Sequence, residues 1–501
     1  MSRPVPLRGV IEGFYGPPWS HGARLDVIEF IGARGMNSYV YAPKGDPKHR
    51  DRWREPYDAV ELRTFEALAS ACRRSSVRLG FALSPGVDIT YDDDADRDAV
   101  LAKLAPMLDI GIDWFVLALD DIPNRPGLAH EQAALTGWLL DALAARRADA
   151  RCSLVPTEYM GTRPSPSITT LSAELPGEVD VFWTGPTVCS PTITAADAGA
   201  WRDAVGGRPL LLWDNYPVND AFMERELHLG PYRGRDPGLT DVLDGILCNP
   251  MLQPRASLVA LGTAAEYLRA PAAYDEDTAW ERAIDDVGGR HASLLRPVAR
   301  ACCDGPLAEP EHLPAAALTD AVAETVDDAS WTDAAVALRD ELHALRVSAR
   351  AWDADDPLRD ELAPWLEQAG REVDAALAAL RLIQQTHPIT AVVDGETRIA
   401  PPDPESTMVH ALALLFIWSA TRDAPRRVVL GPRFVVHPAV VQRADGSPAL
   451  DVALALREDA SVVDRLARIA LARYSRAGTG AAPVSAVADI ASLPFPDARL
   501  S

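Results

Sequence analysis

Cysteine is scarce in this chain: six in 501 residues, with Cys302 and Cys303 adjacent and the others scattered. That excludes a disulfide framework and any Cys/His zinc spacing, and it fits free thiols in a reducing compartment. Basic residues are outnumbered 49 to 72 by acidic ones, a net charge of −23, and the resulting field repels nucleic acid and anionic lipid surfaces. Long apolar runs are missing too. No stretch approaches the ~20 residues of a membrane span, and MSRPVPLRGVIEG at the N-terminus lacks the apolar core of a secretory signal. A cytoplasmic location is therefore expected, with no membrane and no nucleic-acid partner. No GxGxxG turn is present, which argues against a dinucleotide fold.

Against these absences, hydrophobic residues at 48% and charged residues at 24% describe a folded chain long enough for more than one core. From Arg8 to Pro250 a short β-rich run, a Gly/Pro/Asp loop and an amphipathic stretch alternate. Strands are read at residues 8–14, 37–43, 78–84, 114–120, 151–157, 180–186, 209–215 and 244–250. Eight such units in about 245 residues match a (β/α)8 TIM barrel. Helices are predicted at 24–34, 59–74, 95–108, 131–147, 195–205 and 257–269 from period and capping. Beyond Pro271 helical pattern takes over, with long helices expected over 331–352 and 358–385. Past His387 the chain turns mixed, with a helix near 408–420, strand-like runs at 427–441 and 450–457, a helix at 462–474 and a loosely ordered tail from Gly478. The expected domains are a barrel over 1–270, a helical bundle over 271–390 and a small mixed α/β region over 391–501.

In such a barrel, function gathers where strands end. The first predicted strand runs into Gly13 and Tyr15, the second into Lys44 and the fourth into Asp120-Asp121. The fifth runs into Tyr159, the seventh into Trp213 and Asn215 with Asp220 beyond, and the eighth into Asn249. Aromatic rings among carboxylates and amides suit a sugar, whose faces stack and whose hydroxyls need oriented partners. Neighbours along a strand point to opposite faces, so Asp120 and Asp121 can share one pocket only if the strand ends between them. Taken singly, each residue has a plainer explanation. Asp-Asp can cap a helix, the aromatics can pack the barrel, Lys44 can be solvated, Asn215 and Asn249 can form turns, and Asp220 can cap a helix starting at Ala221. Shared location favours a site.

The stretches RGVIEGFYGPPW, YVYAPKGDPKHRDRWREPY, LALDDIP, VPTEYMG, VFWTGP, LLLWDNYPVND, LGPYRGR and CNP, in this order, resemble the successive motifs of glycoside hydrolase family 84. That family contains protein O-GlcNAcases and bacterial β-N-acetylglucosaminidases. The resemblance implies retaining, substrate-assisted hydrolysis of terminal β-linked GlcNAc through an oxazoline, with no metal and no cofactor. It further implies that Asp120 orients the acetamido N–H and takes its proton, and that Asp121 is the general acid and base. Tyr159 and Asn215 would hold the acetamido group, with Trp213 in its pocket wall. Gly13, Lys44, Asp220 and Asn249 would bind hydroxyls, and Tyr15 would build the wall. Val155 stands where some members carry cysteine. The implied partner is a GlcNAc-bearing glycoside or glycosylated protein, with a homodimer through the helical domain as a further expectation. Two alternatives compete: a hyaluronan-degrading glycosidase, which an acidic protein suits poorly, and an idle carbohydrate-binding scaffold, which would not need an intact carboxylate pair.

Overall fold

A computed structural model describes residues 5–303, 313–328, 330–393, 396–421, 427–431, 434–442, 448–456 and 461–476. The expected eight strands are all present: β1 (Leu7–Glu12), β2 (Ser38–Tyr41), β3 (Arg78–Leu83), β4 (Trp114–Ala118), β5 (Arg151–Val155), β6 (Asp180–Trp183), β7 (Leu210–Asp214) and β8 (Gly245–Cys248). Each pairs in parallel with the next and β8 closes onto β1, giving a closed barrel. Every strand stops short of its predicted end. The polar residues expected to terminate strands therefore lie in the loops, where the backbone is free to turn them.

Alternation fills the barrel. Leu7, Ile11, Val40, Ala42, Ala82, Trp114, Val116, Ala118, Val155, Phe182, Leu211, Trp213 and Leu247 form one buried cluster. Trp114 fits because β3 offers Gly80 beside it: a Cβ there would lie 2.9 Å from the indole ring. Its Nε1–H donates to Ser153 Oγ at 2.9 Å, so this indole buries no orphan donor.

The barrel helices are α1 (His21–Ala33), α2 (Ala59–Arg74), α3 (Asp94–Ile110), α4 (Leu128–Arg146), α5 (Pro166–Glu174), α6 (Ala195–Ala204), α7 (Leu239–Val242) and α8 (Pro254–Arg269). The predicted helices match six of these to within a few residues. α2 falls where expected because Asp58 and Glu61 form a capping box at its start. α5 was not foreseen: Pro166 at its first turn and a Ser/Thr-rich sequence resemble a loop, yet Ser165 caps it through Ile168 N.

The chain divides into two compact units, residues 1–224 with 228–283 and residues 225–227 with 284–501. The second contains α10 (Ala292–Ala301), α11 (Pro314–Thr325), α12 (Trp331–Ser348) and α13 (Pro357–Gln385), followed by α14 (Pro404–Thr421) and α15 (Val462–Arg476), while α9 (Glu276–Gly288) runs across the division. α13 packs against α12, α14 and α15. Asp356 caps α13 through Leu358 N and also accepts from His291, so the predicted break between the long helices is a built helix start. One hairpin, β9 (Ile389–Val393) with β10 (Glu396–Ala400), was missed, and the expected strand pair is β11 (Phe434–Gln442) with β12 (Pro448–Leu456). Residues 427–431 are not strand. The predicted tail from Gly478 lies outside the described residues. Among those described, no helix is long and apolar enough to cross a membrane.

Candidate active site

β4 ends at Ala118, two residues before the carboxylate pair. The condition that would let both acids face one pocket is met by backbone geometry rather than by the strand terminus: Asp121 adopts φ +56°. A left-handed residue other than glycine costs roughly 1–2 kcal/mol, and Asp is among the side chains that tolerate it. Arg50 supports the turn. One of its guanidinium nitrogens donates to the Asp121 carbonyl at 3.4 Å and the other to Ser84 Oγ at 3.0 Å.

The two acids meet different surroundings. Asp120 is buried, and its Oδ2 receives the Lys44 ammonium at 2.6 Å. Its Oδ1 is also buried and has no hydrogen-bond partner among the described residues. Asp121 is exposed, yet both of its oxygens are engaged: Tyr15 donates to Oδ2 at 2.7 Å and Tyr159 to Oδ1 at 2.8 Å. Burial and the neighbouring Asp121 carboxylate push both phenols well above their ordinary range. At neutral pH they are O–H donors.

The remaining predicted residues join the same network. The Tyr15 backbone N–H donates to Asp220 Oδ2 at 2.7 Å, and burial raises the Asp220 carboxyl above the usual range. Asn215 Oδ1 accepts from Trp213 Nε1 and from Asn249 Nδ2, each at 3.0 Å, while its Nδ2 donates to Val188 O at 2.7 Å. One amide N–H of Asn215 is left for a ligand. Gly13 N donates to Asn249 Oδ1 at 3.2 Å. Gly13 must be glycine because a Cβ there would lie 2.1 Å from the Trp213 ring. Lys44 sits 5.9 Å from the centre of that ring, and with three donors its ammonium can serve a hydroxyl as well as Asp120. All ten predicted residues are thus brought together. Trp183, also at a strand end, is fully buried and stacks on Trp201; for it the packing explanation holds.

Sequence reasoning passed over the frame behind the site. Glu12, fully buried, accepts from Arg24, Tyr39 and the Trp19 backbone N–H, which pins the loop carrying Gly13 and Tyr15. Asp214, between Trp213 and Asn215, is held by Arg235 and by Tyr232, and its carbonyl accepts Asn249 N at 2.8 Å. Arg235 also reaches Pro191 O, tying down the loop after β6. In the sequence the LGPYRGR stretch stands out only as a motif. An arginine in a polar loop ordinarily reads as solvated. Among the described residues no group of three or more His, Cys, Asp or Glu is placed to hold a metal ion.

A closed parallel barrel with carboxylates, phenols, an indole and amides gathered past the C-terminal ends of its strands has the architecture of the barrel enzymes. The model of the beta-N-acetylglucosaminidase family matches residues 8–298, and the chain belongs to that family, glycoside hydrolase family 84. It is 34% identical over 278 residues to the protein O-GlcNAcases of Rattus norvegicus and Mus musculus, an overlap of 52% of this chain and 30% of each relative. The chain thus spans about a third of the length of these curated relatives. Among solved structures, an aspartate-to-asparagine mutant of the Thermobaculum terrenum O-GlcNAc hydrolase is similar at TM-score 0.77 and 27% identity, covering 97% of this chain and 95% of that one. CpGH84B is similar at TM-score 0.73 and 26% identity, covering 84% and 74%.

Proposed function

We propose that this chain is a retaining β-N-acetylglucosaminidase that removes terminal β-linked GlcNAc by substrate assistance. The observation that carries the reading is Asp120. A buried carboxylate with one oxygen on Lys44 and the other unpartnered is costly unless a donor arrives, and an acetamido N–H is a donor of the right kind. With that N–H engaged, the acetamido oxygen attacks the anomeric carbon as the glycosidic bond breaks. Asp120 takes the N–H proton as the oxazoline closes. Asp121, at the open side, protonates the departing oxygen and then deprotonates the water that opens the oxazoline. Tyr159 and Asn215 hold the acetamido group against Trp213. Lys44, Asp220, Asn249 and the Gly13 backbone hold hydroxyls, and the Tyr15 ring forms part of the wall. No step calls on a metal or cofactor.

The test replaces acetyl hydrogens by one, two and three fluorines, which weakens the carbonyl oxygen as a nucleophile. kcat/KM is expected to fall steeply at each step, tenfold for every ~1.4 kcal/mol added to the barrier. A thiazoline mimic of the cyclised intermediate should inhibit far better than free GlcNAc. A flat response with a weak thiazoline would assign the attack to an enzyme carboxylate instead.

The substrate class extends to GlcNAc-modified protein as well as small glycosides, with the barrel as the catalytic domain. A cytoplasmic setting is supported by six cysteines of which none forms a disulfide. Pairing of two copies through the helical unit is supported by an apolar stripe on α14, where Val409, Leu412 and Phe416 are exposed at 59%, 58% and 79%. Light scattering on the purified protein would decide it: a monomer at micromolar concentration removes the dimer.

A further inference from the structure

Asp121 is exposed and strained in backbone, yet its carboxylate is held from two sides. In the closed barrel, β1 and β5 stand four strands apart, diametrically opposite each other. The loop after β1 supplies Tyr15 to Oδ2 and the loop after β5 supplies Tyr159 to Oδ1. Tyr15 is fixed at its other end, since its backbone N–H is bound to Asp220. Arg50 holds the Asp121 carbonyl, so the main chain and both oxygens each have a partner on a different loop. Tyr15 is 40% exposed, too open to be chiefly a packing element.

We propose that Tyr15 is a positioning residue for Asp121: its hydroxyl, not its ring, sets the direction in which that carboxylate meets the leaving group, with Tyr159 opposing it. This rests on the reading of Asp121 as general acid and base. An acid delivers its proton only along a short, aligned path to the departing oxygen. A flexible Asp121 would spend most of its time elsewhere. In kcat/KM, which covers the steps up to departure of the leaving group and not the later attack of water, the hydroxyl matters only when that proton is needed, so its loss must depend on the leaving group, whereas damage to the pocket wall would slow every substrate alike.

The experiment compares wild type, Tyr15→Phe and Tyr15→Leu across aryl β-N-acetylglucosaminides of increasing phenol basicity and an alkyl glycoside. Tyr15→Phe keeps the ring. In kcat/KM the variant's loss is expected to be smallest on the most acidic phenol and to grow by on the order of tenfold to a hundredfold toward the alkyl glycoside, as a hydrogen bond to a charged group warrants. In an Asp121→Ala background the same change should have no further leaving-group dependence. An equal effect across the series, or an additive one in that background, would overturn the proposal. A crystal structure of Tyr15→Phe gives a readout independent of turnover. If wild type cleaves no β-GlcNAc glycoside, the functional reading fails, and the structure decides the positioning role alone: a displaced Asp121 carboxylate supports it, and an unmoved one ends it.

Discussion

Replacing Lys44 by methionine removes the counter-ion of Asp120 while keeping a side chain of similar reach. The ammonium and Asp120 Oδ2 are 2.6 Å apart, with the two side chains 2% and 8% exposed. At an effective dielectric of about 20, unit charges 4 Å apart attract by ~4 kcal/mol, and stranding one member of a buried pair costs roughly 3–5 kcal/mol. Lys44→Met is therefore expected to destabilise the barrel by about 3–5 kcal/mol. In the double variant Lys44→Met with Asp120→Asn neither charge remains, and the cost should fall well below the sum of the single changes, with a coupling of at least ~2 kcal/mol. Because the chain has two compact units, a single melting curve is ambiguous. Hydrogen exchange in urea, followed on peptides from residues 5–283, isolates the unit concerned. Additivity to within about 0.5 kcal/mol would show that the two groups do not depend on each other, and the argument for an oriented Asp120 would go with it.

Asp121→Ala should cost on the order of 10² to 10⁴ in rate on alkyl glycosides and much less on acidic aryl glycosides, whereas Asp120→Asn should impair both; steady-state kinetics on the two substrates assigns the pair. Gly13→Ala places a Cβ where the Trp213 ring lies, so inhibitor affinity and barrel stability should both drop, by about 1–3 kcal/mol in stability as in other overpacked sites. His49 is buried, and its imidazole is pushed down to about 3, chiefly by that burial and then by Lys44. An unfolded histidine takes its proton near pH 6.5, so the stability tied to neutral His49 is complete above that pH and is lost as the pH falls toward 3. His49→Gln should therefore cost about 2 kcal/mol more at pH 7 than at pH 5, measured by urea denaturation; equal costs at the two pH values would contradict the assignment. Exhaustive chelation should leave turnover unchanged, and a loss restored by zinc or calcium would contradict the metal-free scheme.

The ten candidate residues could be read together because each ends or follows a β-rich run, and position along a barrel strand converts directly into position at its mouth. Their partners could not. Lys44 and Asp120 lie 76 residues apart in sequence and Gly13 and Asn249 lie 236 apart, and no local pattern says which ammonium meets which carboxylate. The carboxylate pair was read as straddling a strand end, but the turn that aims it comes from a left-handed Asp121, a conformation sequence does not announce outside glycine and asparagine. Arg50 and Arg235 stand in polar loops and carry no signal of their own in the sequence, yet Arg50 and the Arg235 side chain are buried. In the second unit, α13 was found by its period, whereas β9 and β10 form a two-stranded sheet with no repeating unit around them to mark them as strands.

The contact between Gly13 and Asn249 lies beside the seam where β8 meets β1, the last pairing a chain can make as it closes the barrel from its first strand to its eighth. A sugar held by both residues would bridge that seam. Ligand binding then acts as a latch on ring closure, contributing about 2.7 kcal/mol at a hundred times Kd, and it would be felt most by the two strands that have the longest journey to find each other. Molecules arrested with seven strands would lack the Asn249 contacts and hold the sugar less well. An inhibitor that titrates binding sites would therefore count chiefly closed barrels, separating finished molecules from compact but open ones in a refolding mixture.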